Sequence, residues 1–338
     1  MVLDTVYICR HGFRLSWETT IWKSPTGIPR DPPLSSHGVD QAKELAAFLR
    51  EELGLKEGTR EEAEREGVFI LSSPLYRCIQ TATPTADALD LPIFIEPGMG
   101  EWYLPVRRGL HPALASPSFL QQFFPRVSSG PAISSSPLST PWNALVHPPR
   151  TGESIRALHA RSSSLLQQLI PALEARGVKK LICFSHAATV IALARAFAGD
   201  LDVPGLLEGE AAEAGKEERL GEWKDEERLG VRAATCSVSK FVREGQAEER
   251  EKGLGKWKRE WDGRTDFLER GEERRWDFTF VEEIAEDGIL EDGTEVAPLK
   301  SDNYKEAPTA APKETEASEE RTKEQREEVQ GQVQPGKL

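Results

Sequence analysis

The chain has 338 residues, of which 38% are hydrophobic and 29% charged, with a formal net charge of −13. That length suits one large domain plus an extension, or two domains, and the low apolar share confines a packed core to part of the chain. The acidity argues against broad electrostatic attraction to nucleic acid or anionic membranes, while leaving room for a locally positive pocket.

Four cysteines, Cys9, Cys78, Cys183 and Cys236, show no C-x-x-C spacing, which speaks against a zinc site or a thioredoxin-like motif. Three lie in apolar stretches and read as small buried hydrophobes, as suits a reducing compartment. Residues 1–9 read as a strand rather than a signal peptide. The most apolar stretch, AATVIALARAFAG at 187–199, is too short to span a bilayer and contains Arg195. An intracellular protein is expected, with no membrane and no direct nucleic-acid partner.

In chain order, VLDTVYIC at 2–9 predicts a buried strand. A Pro/Gly loop leads to a helix over SSHGVDQAKELAAFLREELG, capped by Ser35 or Ser36, with Val39, Ala42, Leu45, Ala46, Leu49 and Leu53 on one face. A charged stretch at 56–67 precedes a second strand, VFILSS at 68–73. Ser73-Pro74 signals the next helix, with Ser as its cap. LPIFIE at 91–96 is a third, short strand. Residues 105–150 form an irregular insert containing a Ser/Pro-rich loop expected to be mobile.

GESIRALHARSSSLLQQLIPALEARG predicts a long helix, KKLICFSH a strand, and AATVIALARAFAG a helix directly after it. A charged insertion at 206–230 separates these from a last strand, ATCSVSKFV at 234–242. This alternation predicts an α/β three-layer sandwich with a mainly parallel sheet over residues 1–245. Residues 246–300 form a Trp-rich C-terminal extension, which either packs back on the domain or binds a protein partner. Residues 301–338 lack periodic apolar positions and read as a disordered acidic tail.

In an open parallel sheet, ligands bind beyond the carboxyl ends of the strands. The first strand ends on Arg10, His11 and Gly12, with Arg14 just beyond. The second ends on Ser72 and Ser73, with Arg77 one turn into the helix. The third leads to Glu101, and the fourth ends on Ser185 and His186. Arginine forks and helix N-termini match a phosphoryl dianion. A neutral histidine can attack phosphorus, nearby arginines disfavour imidazolium, and a carboxylic acid can protonate the leaving oxygen. The set suits phosphoryl transfer.

Arg10-His11-Gly12, SSPLYRCIQTA at 72–82, GEW at 100–102 and FSHAATV at 184–190 resemble the histidine phosphatase (phosphoglycerate mutase-like) superfamily over roughly residues 1–245. The resemblance implies a phosphoglycerate mutase-like fold and a metal-independent phosphomonoesterase that needs no cofactor. By position, His11 would be the nucleophile and Glu101 the proton donor, with His186 also catalytic. Arg10, Arg77, His186 and Arg14 would hold the phosphoryl group of a phosphorylated peptide or small molecule.

Phe13, Arg14 and Trp17 stand where the mutases have small polar residues and an asparagine, which argues against a phosphoglycerate mutase. An arginine at the Arg14 position is more like the phosphatases that suppress T-cell-receptor signalling and act on phosphotyrosine. YICRHGFRLSWE, GEWYLP and FLERGEERRWDF look closest to a fungal group that includes the tau-type subunit of the transcription factor TFIIIC and its stand-alone paralogues, a resemblance that would add the nucleus to the cytoplasm as an expected location.

Set against these readings, Arg14 either recognises substrate or faces solvent. His37 reads as a surface residue, and His111, His147 and His159 as structural or exposed. Arg107 and Arg108 read as a solvated loop. Trp257, Trp261 and Trp276 either bind a partner through 246–300 or pack on their own domain. The functional alternative to an enzyme is a phosphatase-like scaffold subunit of a transcription complex.

Overall fold

The structure, a computed structural model, describes residues 2–106, 108–131, 136–198, 230–244 and 256–278. The first apolar run forms β1 (Thr5–Arg10). Successive side chains enter opposite cores: Val6 and Ile8 one, Tyr7 and Cys9 the other. A strand covered on both faces reads as an unbroken apolar run, which is why the sequence here lacks polar alternation.

α1 (Ser36–Glu52) is capped by Ser35, which accepts a hydrogen bond from Gly38 N. The charged stretch folds into a short α2 (Arg60–Arg65), where the buried Glu62 accepts from the amides of Lys56, Glu57 and Gly58. Then come β2 (Val68–Ser72), α3 (Tyr76–Ala88) and β3 (Phe94–Ile95). The insert contributes one turn of helix, α4 (Pro117–Leu120). α5 (Ile155–Ala175), β4 (Lys180–Ser185) and α6 (Ala187–Phe197) follow, then β5 (Val238–Glu244) and β6 (Lys256–Arg264).

The six strands form one sheet in the order β3-β2-β4-β1-β5-β6. β3, β2, β4 and β1 run parallel, while β5 and β6 are antiparallel to their neighbours. Leu45 and Leu49 of α1 and Ile79 and Ala82 of α3 pack on one face with Tyr7, Ile70 and Ile182. Leu165 and Leu169 of α5 and Val190 and Ile191 of α6 pack on the other with Ile8, Phe69 and Leu181. The three-layer α/β sandwich is present as expected. No helix among the described residues is long and apolar enough to cross a membrane.

Three elements differ from expectation. α3 starts at Tyr76 rather than at Ser73-Pro74, because Asp31 takes over the cap: its two carboxylate oxygens accept from Tyr76 N at 2.9 and 3.0 Å. β5 begins at Val238, not 234, because Cys236 turns the chain with a φ of 50°. β6 lies beyond the boundary read at residue 245 and pairs with β5 along its length. There Trp257 is buried against Phe197, and its guanidinium neighbour is Arg243. Residues 256–278 thus belong to the sheet and its flank. The insertion at 206–230, apart from Gly230, lies outside the described residues. So do the acidic tail at 301–338 and residues 132–135 of the Ser/Pro-rich loop.

Candidate active site

β1, β2 and β4 run parallel, so their carboxyl ends open on one rim, and β3 leads there through Pro97–Met99. Arg10, His11, Arg77 and His186 are all buried at that rim, and Glu101 is half-buried. The two imidazole rings lie 5.4 Å apart, edge to face. Arg77 joins the set. Its NH2 donates to Glu101 Oε2 at 2.9 Å and to His186 Nδ1 at 3.1 Å. Its NH1 donates to Asp31 Oδ1 at 3.4 Å.

The hydrogen-bond pattern assigns both tautomers. His11 Nδ1 lies 2.8 Å from Gly12 O, so it carries the proton and leaves the Nε2 lone pair available. His186 Nδ1 accepts from Arg77, so its proton sits on Nε2, which donates to Ser73 Oγ at 2.8 Å. Burial, then the charges of Arg77, Arg10 and Arg14, holds the His11 imidazole well below its usual range. Burial and the Arg77 charge do the same for His186. Both rings are neutral at physiological pH.

Backbone from distant segments fixes these side chains. Arg10 NH1 donates to Ala233 O at 2.7 Å and to Arg274 O at 2.5 Å. Arg77 NH1 also reaches Arg30 O at 3.5 Å. Cys236 N donates to His11 O at 3.3 Å. Arg30, Cys236 and Arg274 each hold a positive φ, of 63°, 50° and 50°. That conformation costs a non-glycine residue roughly 1–2 kcal/mol, so strain is gathered around the site. The loop after His11 is also pressed by α1. A Cβ on Gly38 would come within 2.1 Å of Phe13 O, and one on Gly12 within 2.7 Å of Gly38 O.

Glu101 is held by its neighbours on either side. Thr189 Oγ1 and the buried Arg161 bind Gly100 O, at 2.8 and 3.4 Å. Arg161 is itself paired with buried Glu153, whose backbone carbonyl accepts from Trp102 Nε1 at 2.8 Å. Arg14, which could have faced substrate or solvent, is buried with its guanidinium carbon 4.3 Å from the Trp17 ring centre. Trp17 lies 6.0 Å from the His11 ring and with Phe13 forms an aromatic wall.

Sequence reasoning missed Asp31, Arg274, Thr81 and Gln41. Thr81 Oγ1 accepts from Gly12 N, and Gln41 Oε1 accepts from Phe13 N, both at 3.0 Å. Asp31 is completely buried and ties Arg77 to the start of α3. Burial pushes its carboxyl upward, against the pull of the Arg77 charge and the Tyr76 amide. The only signal was a lone acid among prolines in RDPP. His37, expected at the surface, is half-buried and pairs with Glu273, and His159 packs against Arg195 and Phe278. His111 is buried and stacks on Tyr103. Arg108 and His147 are exposed, and Arg107 lies outside the described residues. No group of three His, Cys, Asp or Glu side chains among the described residues is placed to hold a metal ion.

Residues 6–213 match the family profile described as the histidine phosphatase superfamily (branch 1). The chain belongs to this superfamily. As a histidine phosphatase-fold protein it is 31% identical over 307 residues to the transcription factor tau 55 kDa subunit of Saccharomyces cerevisiae, covering 86% of this chain. It spans 62% of that relative's length. A shorter match, 29% identical over 127 residues, covers 29% of this chain and 15% of the ecdysteroid-phosphate phosphatase of Drosophila melanogaster. The ecdysone phosphate phosphatase of Bombyx mori, solved with tungstate, superposes with a TM-score of 0.50 at 16% identity, over 82% of this chain and 99% of that one. That likeness supports the fold.

Proposed function

We propose that this histidine phosphatase-fold chain is a metal-independent phosphomonoester hydrolase working through a phosphohistidine at His11, with phosphotyrosine proteins as its substrate class. The observation that carries the reading is the neutral His11 ring, tied by Nδ1 to Gly12 O among the guanidiniums of Arg10, Arg14 and Arg77. Nε2 attacks phosphorus as the ester P–O bond breaks, and Glu101 delivers a proton to the departing oxygen. Water then attacks the phosphohistidine, Glu101 takes its proton, and inorganic phosphate leaves with His11 restored. Arg10, Arg77, Arg14, His186 and the N-terminus of α6 meet the charge on the phosphoryl oxygens throughout. A dianion seated on Arg77 competes with Glu101 for that guanidinium and frees the carboxyl to act. The Phe13–Trp17 wall beside His11 supports an aromatic leaving group.

The test is hydrolysis of p-nitrophenyl phosphate and of a phosphotyrosine peptide, with EDTA present, by wild type and His11→Ala. Wild type turns both over, and the variant is slower by about 10³-fold or more. No turnover by either across a broad pH range overturns the hydrolase.

A second role rests on the 31% identity to a transcription factor subunit. In it the chain docks a protein partner through 246–300, in the nucleus. Deleting all of 246–300 would remove β6, so the informative variant ends after Phe278. That truncation loses co-purification with tau subunits while keeping a native melting transition. Retained co-purification overturns docking through 279–300.

A further inference from the structure

The segment after β6 brings to the site mouth a cation that the span 6–213 lacks. Glu273 fixes the return of the chain. Its Oε2 accepts from Gln41 Nε2 at 2.8 Å and pairs with His37, and its carbonyl accepts from Thr235 N at 3.0 Å. Arg274 follows in a left-handed conformation, and its carbonyl holds Arg10. Its guanidinium carbon then lies 5.4 Å from the ring centres of both Phe13 and Trp17. Arg14 and Arg10 lie 4.3 and 5.6 Å from that same Trp17 centre.

Unlike Arg10 and Arg14, Arg274 is exposed, and no carboxylate among the described residues pairs with it. Cation–π attraction to two aromatic rings holds a guanidinium in place and leaves N–H groups to donate to a carboxylate or phosphate. Trp17 Nε1 adds a buried donor with no acceptor among the described residues.

We propose that Arg274, beside Arg14 on the Trp17 ring, forms a second anion subsite next to the phosphoryl pocket. The substrate it selects is a phosphotyrosine peptide with an acidic residue adjacent to the phosphorylated one. The proposal deepens the phosphatase reading and rests on it for the location of the first anion. Arg274 acts on specificity: it contacts the flanking carboxylate, not the reacting atoms.

The experiment measures binding, by fluorescence anisotropy, of matched phosphotyrosine peptides with Asp/Glu or Asn/Gln flanks to the full chain carrying His11→Ala, which leaves the peptide intact. That chain prefers the acidic peptide. Adding Arg274→Gln lowers the acidic-over-neutral preference about tenfold, the worth of one charge-assisted hydrogen bond, and Arg274→Lys restores part of it. If Arg274→Gln fails to fold, Arg274→Asn removes the same charge in a residue that tolerates the left-handed backbone. An acidic preference that survives both substitutions, or that is absent in the parent, overturns the subsite. Turnover of p-nitrophenyl phosphate by wild type reports separately on the hydrolase, so a chain that binds through Arg274 without turnover would sink only the first reading.

Discussion

The parallel half of the sheet and its antiparallel edge serve the site in different ways. The parallel strands present side chains: Arg10 at the end of β1 and His11 just after it, Ser73 and Arg77 after β2, Glu101 after β3 and His186 after β4. The antiparallel edge and its flank act mainly through backbone. Ala233 and Arg274 give carbonyls to Arg10, Ser237 O accepts from Arg10 N, and Cys236 N binds His11 O. One half supplies the side chains of the candidate site and the other fixes their aim.

The comparison can be broken at either half. The largest effect is expected at Glu101. Glu101→Gln slows turnover of a phosphotyrosine peptide by about 10²–10⁴-fold. p-Nitrophenyl phosphate, whose leaving group needs no proton, suffers less, so the ratio of the two kcat losses is the measurement. Equal losses would mean that Glu101 does not protonate the leaving oxygen.

Next comes Trp257→Ala on β6. It removes a buried indole and costs about 4 kcal/mol in urea denaturation. Amide exchange then rises across the β5–β6 ladder before it rises in β2 and β4. Uniform exchange would show that the edge and the parallel half unfold as one unit.

Asp31→Asn follows at about 3 kcal/mol, because buried Arg77 loses one of its two carboxylates. The cap on Tyr76 N survives through the amide oxygen, so a loss no larger than that of an ordinary helix cap, about 1 kcal/mol, would show that the Arg77 pair contributes nothing.

The smallest effect is on pH dependence. The folded-state affinities of His11 and His186 for protons lie well below those of the unfolded chain. The unfolded state therefore binds more protons once the pH falls below about 6.5, and stability is fully present above that pH and lost below it. His159, lowered to about 4 by burial, adds in the same direction. Each such group steepens the fall by about 1.4 kcal/mol per pH unit. Denaturation midpoints of wild type and His11→Ala between pH 6.5 and 5 should diverge by one proton's slope; parallel curves would place a charged His11 in the folded state.

The same division decides what the sequence makes legible. Side-chain chemistry is carried by residue type at fixed places after strands, so His11, Arg77 and His186 stand out from the sequence itself. The cores of β1 and β4 stand out too, because strands buried on both faces are written as apolar runs. Backbone clamps leave no such mark, since any residue can offer a carbonyl. Nothing in the composition around Ala233 marks it, and the stretch FLERGEERRWDF that contains Arg274 does not announce that its carbonyl holds Arg10. β6 is obscured for a related reason: Trp257 and Trp261 pack in different cores across an irregularity in the β5–β6 pairing, so no simple alternation marks the strand, and the charged residues around them read as a solvated arm. Asp31 is hidden because its burial depends on α3, which lies 45 residues away.

The position of β1 also bears on how the chain is made. It precedes β2–β6 in synthesis, yet it ends in the middle of their sheet, between β4 and β5. The clamp on Arg10 spans 223 residues to Ala233. At about 5–20 residues per second, its partners leave the ribosome on the order of ten to fifty seconds later. Until β4 emerges, the apolar VYIC segment has neither neighbour to cover it, and its second neighbour, β5, comes later still. The candidate site receives the Arg274 carbonyl that holds Arg10 only after β6 has been made.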